Sequence, residues 1–208
     1  SLSAKLALPN GVALTVADAA EHPASYTSTD VVTNRIREVV QKVSLLTIAK
    51  DVELSEPIHL SRKCSSAPEF SRVVIQAGVN SKSTVIVENT GNGELGEEIE
   101  INLAPGASLD LISLQEWERN AVHLAQHRIT LGRDSSVKHV SVTLGGEVVR
   151  ILPSVHYAAP GGQAELIGLY FAGAGQHAEH RLFVDHSEAN CRSNVVYKGA
   201  LDGEDAHT

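Results

Sequence analysis

The sequence predicts an all-β fold, a β-solenoid reached through a short N-terminal segment with one amphipathic helix. Three observations carry this. The apolar period changes from 3.6 to 2 near Leu45. Beyond that point short β-branched runs alternate with Gly/Pro/Asn/Ser turns. A strand–small-residue turn–strand unit then recurs at a near-constant step.

The helix comes first in the chain. Val32, Ile36, Val39, Val40 and Val43 form one apolar stripe, which predicts a helix over about 30–43. Thr29 or Asp30 caps it, and Glu38 and Lys42 stand at i,i+4 in the favourable order. Residues 1–44 are thus an N-terminal segment and 45–208 the β-solenoid. The repeat runs from Val73–Gly78 into Thr84–Val87, and from Ile99–Gly106 into Leu109–Ile112. It continues from Ile129–Gly132 into Val137–Val140, from Val155–Ala158 into Ala164–Ile167, and from Leu182–Asp185 into Asn194–Tyr197. The second strands open at 84, 109, 137, 164 and 194, so the steps are about 25, 28, 27 and 30 residues. Each unit of a solenoid buries its apolar face only against its neighbours, and a constant step follows from that. An antiparallel sandwich, whose strands also recur at short spacing, stays open on pattern alone. Leu8–Leu14 echoes Leu103–Leu109 and reads as a degenerate copy.

Composition narrows the function classes. The 208 residues are 42% apolar and 20% charged, which excludes a disordered tail, a collagen-like chain and a coiled coil. No apolar run reaches the ~20 residues of a membrane helix, so no membrane partner is expected. Net charge is −8 and no Lys/Arg cluster exceeds two adjacent residues, which leaves nucleic acid without an electrostatic footprint. Two cysteines, with no CxxC and no leader-like start, suit a reducing cytoplasm.

Candidate chemistry is thin. His177, His180 and His186 precede Cys191 and resemble a metal-binding run, the basis of an alternative reading as a metal-binding or iron-delivery protein. On an extended strand His177 and His180 point to opposite faces, while His180 and His186 lie six residues, roughly 20 Å, apart. His186 and Cys191 are the metal-ligating candidates that remain, and structural roles are assigned to them first. Cys64 falls in the polar stretch Ser61–Ser66. Glu97 and Glu98 are adjacent, but nothing in the sequence pairs them across a cleft. The paired glycines at 145–146 and 161–162 fit no phosphate-binding motif and read as bends. No catalytic set is apparent. A β-helix carbohydrate-active enzyme is a further alternative, disfavoured by the scarcity of Phe, Trp and Tyr.

The last fifty residues carry a resemblance. Gly168–Ala172, Gly175–His186 and Cys191–Leu201 resemble the SufB/SufD family of the Suf (SufBCD) iron–sulphur cluster assembly complex, and within it the SufD branch. Asp185-His186, Cys191-Arg192-Ser193 and Tyr197-Lys198-Gly199 are its most specific part, and the similarity reaches back loosely to about residue 45. SufB carries a cysteine after a Pro-Ser pair, where this chain has Pro153-Ser154-Val155. The resemblance implies a right-handed parallel β-helix and a non-enzymatic scaffold whose partners are SufB and the ATPase SufC. The iron–sulphur cluster belongs to the assembled complex, and no cofactor is expected in this chain. The family's cluster-proximal histidine and SufC-docking helices lie downstream of the last match, so no cluster ligand maps onto these residues. An incomplete solenoid end leads us to expect a homodimer when the chain is isolated.

Overall fold

A computed structural model describes residues 2–65 and 67–208. The chain begins with β1 (Ser3–Ala4), β2 (Val12–Asp18) and α1 (Val31–Val39). Then follow β3 (Lys42–Ile48), β4 (Ile58–Cys64), β5 (Glu69–Ala77), β6 (Lys82–Gly91), β7 (Glu94–Leu103) and β8 (Ser108–Trp117). The remainder is β9 (Val122–Leu131), β10 (Ser136–Leu144), β11 (Val148–Tyr157), β12 (Gln163–Ala172), β13 (His177–His180), β14 (Phe183–Asp185) and β15 (Arg192–Leu201). Even-numbered strands β4 to β12 and β15 stack in parallel as one sheet, and odd-numbered β3 to β13 as the other. This is a β-solenoid of about 6 turns, and the sandwich is excluded because the ladders from β3 onward are parallel. Among the described residues no helix is long and apolar enough to cross a membrane.

The turns stack in register. Leu109, Val137 and Ala164 are consecutive rungs, as the repeat predicts, whereas Thr84 and Asn194 each sit one residue beyond their rung. Strand side chains alternate between faces, so one inward column holds Val85, Leu111 and Leu166 and another Ile75, Ile101 and Ile129. These residues, with Tyr157 at one end, form the main apolar core.

One corner shows what the turn residues do. Asp51, Asn80, Gly106, Asp134, Gly161 and Asn190 occupy it in successive turns, and all have positive φ. Each of the first five donates its amide to a carbonyl of the next turn, from Asp51 to Val79 at 2.8 Å through Gly161 to Ala189 at 3.1 Å. Only Gly, Asn and Asp adopt that region readily. Close stacking adds a second constraint: a Cβ on Gly161 would lie 1.9 Å from Asp134 Oδ1, and one on Gly106 2.4 Å from Asn80 Oδ1.

The N-terminal segment departs from expectation in three ways. The helix ends at Val39, and Val40 is extended. Val43 belongs to β3 and is fully buried, because pairing of β3 with β2, where Val43 meets Ala17, and with β5 outweighs continuation of the stripe. Asp30 is the cap, accepting from the Thr33 amide at 2.8 Å. Glu38 pairs with Arg35 at 3.0 Å and Lys42 with Asp18 at 3.2 Å, so the expected Glu38–Lys42 pair does not form. Leu8–Leu14 is no extra rung either. It leads into β2, which runs antiparallel to β3, while β1 runs antiparallel to β4. Together they close the first edge of both sheets against further parallel pairing.

Replacing Gly161 by Val introduces a β-branched side chain at positive φ against Asp134. We expect a loss of about 1–3 kcal/mol, read as a fall in melting temperature of about 2–4 °C per kcal/mol. Gly161→Asn, which tolerates the same backbone, costs less.

Candidate functional site: a polar line inside the solenoid

The interior is not apolar throughout. Arg62, Asn89, Gln115 and Thr143 stand on consecutive rungs of the even sheet, followed by Tyr170. All but Tyr170 are buried. A smaller apolar cluster around Cys64, Trp117, Val149 and Ile151 lies on the far side of this line from the main core.

Glu97 anchors the line at 0% exposure. Its carboxylate accepts from Arg62 Nη1 at 2.6 Å and Asn89 Nδ2 at 2.9 Å, with His123 Nε2 at 3.4 Å. Arg62 Nη2 donates to Ser71 Oγ at 2.6 Å. Burial alone would raise the carboxyl's pKa, but Arg62 and then His123 outweigh it and hold Glu97 well below the usual carboxylate range. It is therefore a buried charge, and it is paired.

Histidines continue the line. His127 on β9 and His139 on β10 meet across the interior, Nδ1 to Nε2 at 2.9 Å. Each interrupts an otherwise apolar column, so each supplies the other's partner; one neutral ring donates and the other accepts. Farther along, Thr143 Oγ1 donates to Gln115 Oε1 at 3.1 Å and lies 3.4 Å from His180 Nε2. The ring of His180 is stacked on Tyr170, centroids 5.1 Å apart, with Tyr197 at 5.5 Å. Burial depresses His127 and His180 to about 4. Burial, with His127 and His180 nearby, also pushes His139 well below the ordinary value. These rings are neutral near pH 7.

The histidine–cysteine run is dispersed. His180 points into the solenoid, whereas His177 stands on the opposite face of β13, level with Val148. His186 lies outside, packed on Tyr157 at 5.0 Å and 2.9 Å from Ser193 Oγ. Cys191 packs against the main core, and its Sγ donates to the carbonyls of Ala189 at 3.5 Å and Ala159 at 3.8 Å. Among the described residues no three His, Cys, Asp or Glu side chains converge at metal-ligating geometry. Cys64 is not in a loop; it ends β4, and burial pushes its thiol up to about 11. Ser66, from the same stretch, lies outside the described residues.

Glu98 faces the other way from Glu97 and is also buried. It accepts from Arg72 Nε at 2.8 Å, Arg37 Nε at 3.0 Å and the Tyr26 hydroxyl at 3.0 Å. Arg37 is in α1, so this carboxylate clamps the helix to the outer face of the odd sheet. There α1 lies over β5, β7 and β9. The outer face of the even sheet has no such cover among the described residues. It presents a ladder of Ile86, Ile112, Val140, Ile167 and Val196, with Leu169 and Phe171 about half exposed beside it.

Residues 59–208 match the model of the SUF system FeS cluster assembly SufBD core domain. The chain belongs to the SufBD family. An iron–sulfur cluster assembly SufBD family protein of Mycobacterium leprae is 38% identical over 176 residues, covering 81% of this chain and 45% of that protein. One from Mycobacterium tuberculosis is 36% identical over 173 residues, covering 79% and 44%. A second Mycobacterium leprae protein of the same description is 26% identical over 105 residues, covering half of this chain and 12% of its own length. The chain thus spans less than half the length of these relatives. The SufBD assignment and the β-helix agree with the sequence reading.

Sequence reasoning missed the polar line. Its signal was present, because polar residues recur at one inward position in successive repeats, but it shows only once the rungs are aligned residue by residue.

Two outcomes test this arrangement. Glu97→Gln leaves a buried guanidinium without its counter-charge and costs about 3–5 kcal/mol in urea unfolding; Arg62→Met with Glu97→Leu costs less than Glu97→Gln alone. Acid acts through the histidines. Their folded pKa values lie below 6.5, so the unfolded chain binds more protons between 6.5 and about 4. Stability is full above pH 6.5 and falls as pH drops, approaching about 1.4 kcal/mol per pH unit for each histidine. Replacing His127 and His139 together by Leu and Val flattens that slope.

Proposed function

We propose that this chain is the β-helix part of a SufD-type scaffold, non-catalytic in itself, which pairs with SufB and works with the ATPase SufC in cytoplasmic iron–sulphur cluster assembly. The observation that carries the pairing is the bare apolar ladder on the even sheet. A flat face of stacked Ile and Val, flanked by Leu169 and Phe171, suits burial against another extended surface. Its counterpart on the odd sheet is already occupied by α1. A second β-helix offers the same length and rung spacing, so side chains of the two faces can interdigitate along several turns.

SufD rather than SufB is favoured by Pro153-Ser154-Val155, which has an inward-facing, fully buried Val155 where the resemblance to SufB calls for a thiol. A scaffold role accords with a polar line enclosed in the solenoid, whose one carboxylate, Glu97, is engaged by Arg62 and Asn89. The cluster is cargo of the assembled complex in this reading, and His186 and Cys191 serve packing and turn geometry.

The test is co-expression of the full-length protein with SufB and SufC. Stoichiometric co-purification is expected, and Leu169→Glu with Val196→Arg removes SufB while leaving the melting temperature of the isolated protein within about 2 °C. Failure of the unaltered protein to retain SufB refutes the scaffold reading. Retention by the double variant moves the contact off this face.

A further inference from the structure

Outside the polar line, a groove of about 720 Å³ opens on the outer face of the odd sheet, beside the start of α1. Arg128, Arg150 and Arg181 line it, and Asp30 is the sole carboxylate among its lining residues. On a chain of net charge −8 this is a local concentration of positive charge. Asp30 engages Arg150 at 3.0 Å, leaving two guanidiniums over. Arg128 forms no ion pair among the described residues, although Glu100 and Asp185 lie in its field. Its Nε and that of Arg150 are shielded from solvent without a hydrogen-bond partner. The Arg128 guanidinium is held over the Tyr26 ring at 4.9 Å, so its position is fixed rather than free.

We infer that this groove binds an organic phosphate, with Arg128 and Arg181 taking phosphate oxygens and the apolar wall taking the organic body. Guanidinium forks match phosphate oxygens bidentately, and partly desolvated forks lacking partners gain most from such an anion. Arg128 stands opposite Ser154, four residues along β11 from Arg150, which is about 13 Å of strand. Arg181 follows His180, which pairs with Ile151, and so falls between them on the next turn. A single carboxylate meets one fork of such a set; a diphosphate spans two. Leu152, Pro153 and Phe183 form the apolar side of the groove, whose volume is that of a small-molecule site. The groove lies on the opposite sheet from the proposed pairing face, so it stands or falls independently of that pairing.

Isothermal titration calorimetry of the full-length protein, without SufB, tests the site with ADP, inorganic pyrophosphate and citrate. ADP is expected to bind with a Kd below about 1 mM, pyrophosphate to compete with it more weakly, and citrate to bind least. Arg128→Gln and Arg181→Glu should each weaken ADP about tenfold or more, while Arg133→Gln, outside the groove, leaves it unchanged. Arg181 is exposed, so its variant folds even if removal of Arg128 disturbs the sheet. No binding of ADP at about 1 mM, undiminished binding in Arg181→Glu, or citrate binding as tightly as ADP overturns the assignment.

Discussion

Stacking in register governs this molecule. In a parallel solenoid each residue meets its counterpart one turn above and below, so a property chosen at one position propagates along a column. The apolar columns bury Ile, Val and Leu against their like. The positive-φ corner repeats because each turn donates a hydrogen bond to the next, and a turn of different shape would break that ladder. A polar residue placed inward likewise needs a polar residue within reach. Arg62, Asn89, Gln115 and Thr143 are the outcome: four adjacent rungs, linked partly by their own hydrogen bonds and partly by Glu97.

Glu97 and Glu98 show how alternation divides the work. One residue apart, they sit on opposite faces of one sheet, and both are buried charges. The inner one neutralises a guanidinium in the solenoid's interior. The outer one gathers Arg37 and Arg72 and so fixes the helix. Removing charge from either would strand an arginine, which is more damaging than the net worth of the pair suggests. Such pairs add little to stability over apolar packing of the same volume. What they join is definite: Glu97 bridges Arg62 and Asn89 on adjacent rungs, and Glu98 bridges Arg72 of the sheet and Arg37 of the helix.

Much of the solenoid was legible because two signals coincide, alternation within strands and small or αL-tolerant residues between them. Leu109, Val137 and Ala164 fell on true rungs for that reason. What was hidden depends on pairing across long separations. Val43 continues a helical stripe on paper, yet it pairs with Ala17 of β2, 26 residues away in the chain. Leu8–Leu14 copies the residue types of a rung, but strand direction is not encoded in composition, and β2 runs antiparallel. The conspicuous histidines at 177, 180 and 186 drew attention by proximity in sequence. His127 and His139, twelve residues apart and on facing sheets, are the ones that meet.

The two outer faces then differ for a physical reason. On the odd sheet the helix is held by directional bonds at both ends: Glu98 on β7 accepts from Arg37, and Arg150 on β11 pairs with the cap residue Asp30, beside which the groove opens. On the even sheet, the outward positions of the middle rungs hold an apolar row, Ile112, Val140 and Ile167, beside a charged row, Asp110, Lys138 and Glu165, in which Lys138 and Glu165 pair with each other at 3.3 Å. An apolar row of that kind gains most from another surface of its own shape, since dispersion and water release scale with the area matched. A solenoid supplies that shape along its whole length. In the pairing proposed above, the rung spacing that builds the core also matches this face to a second β-helix, while the proposed anion site lies where α1 and the arginines of the odd sheet interrupt the regular surface.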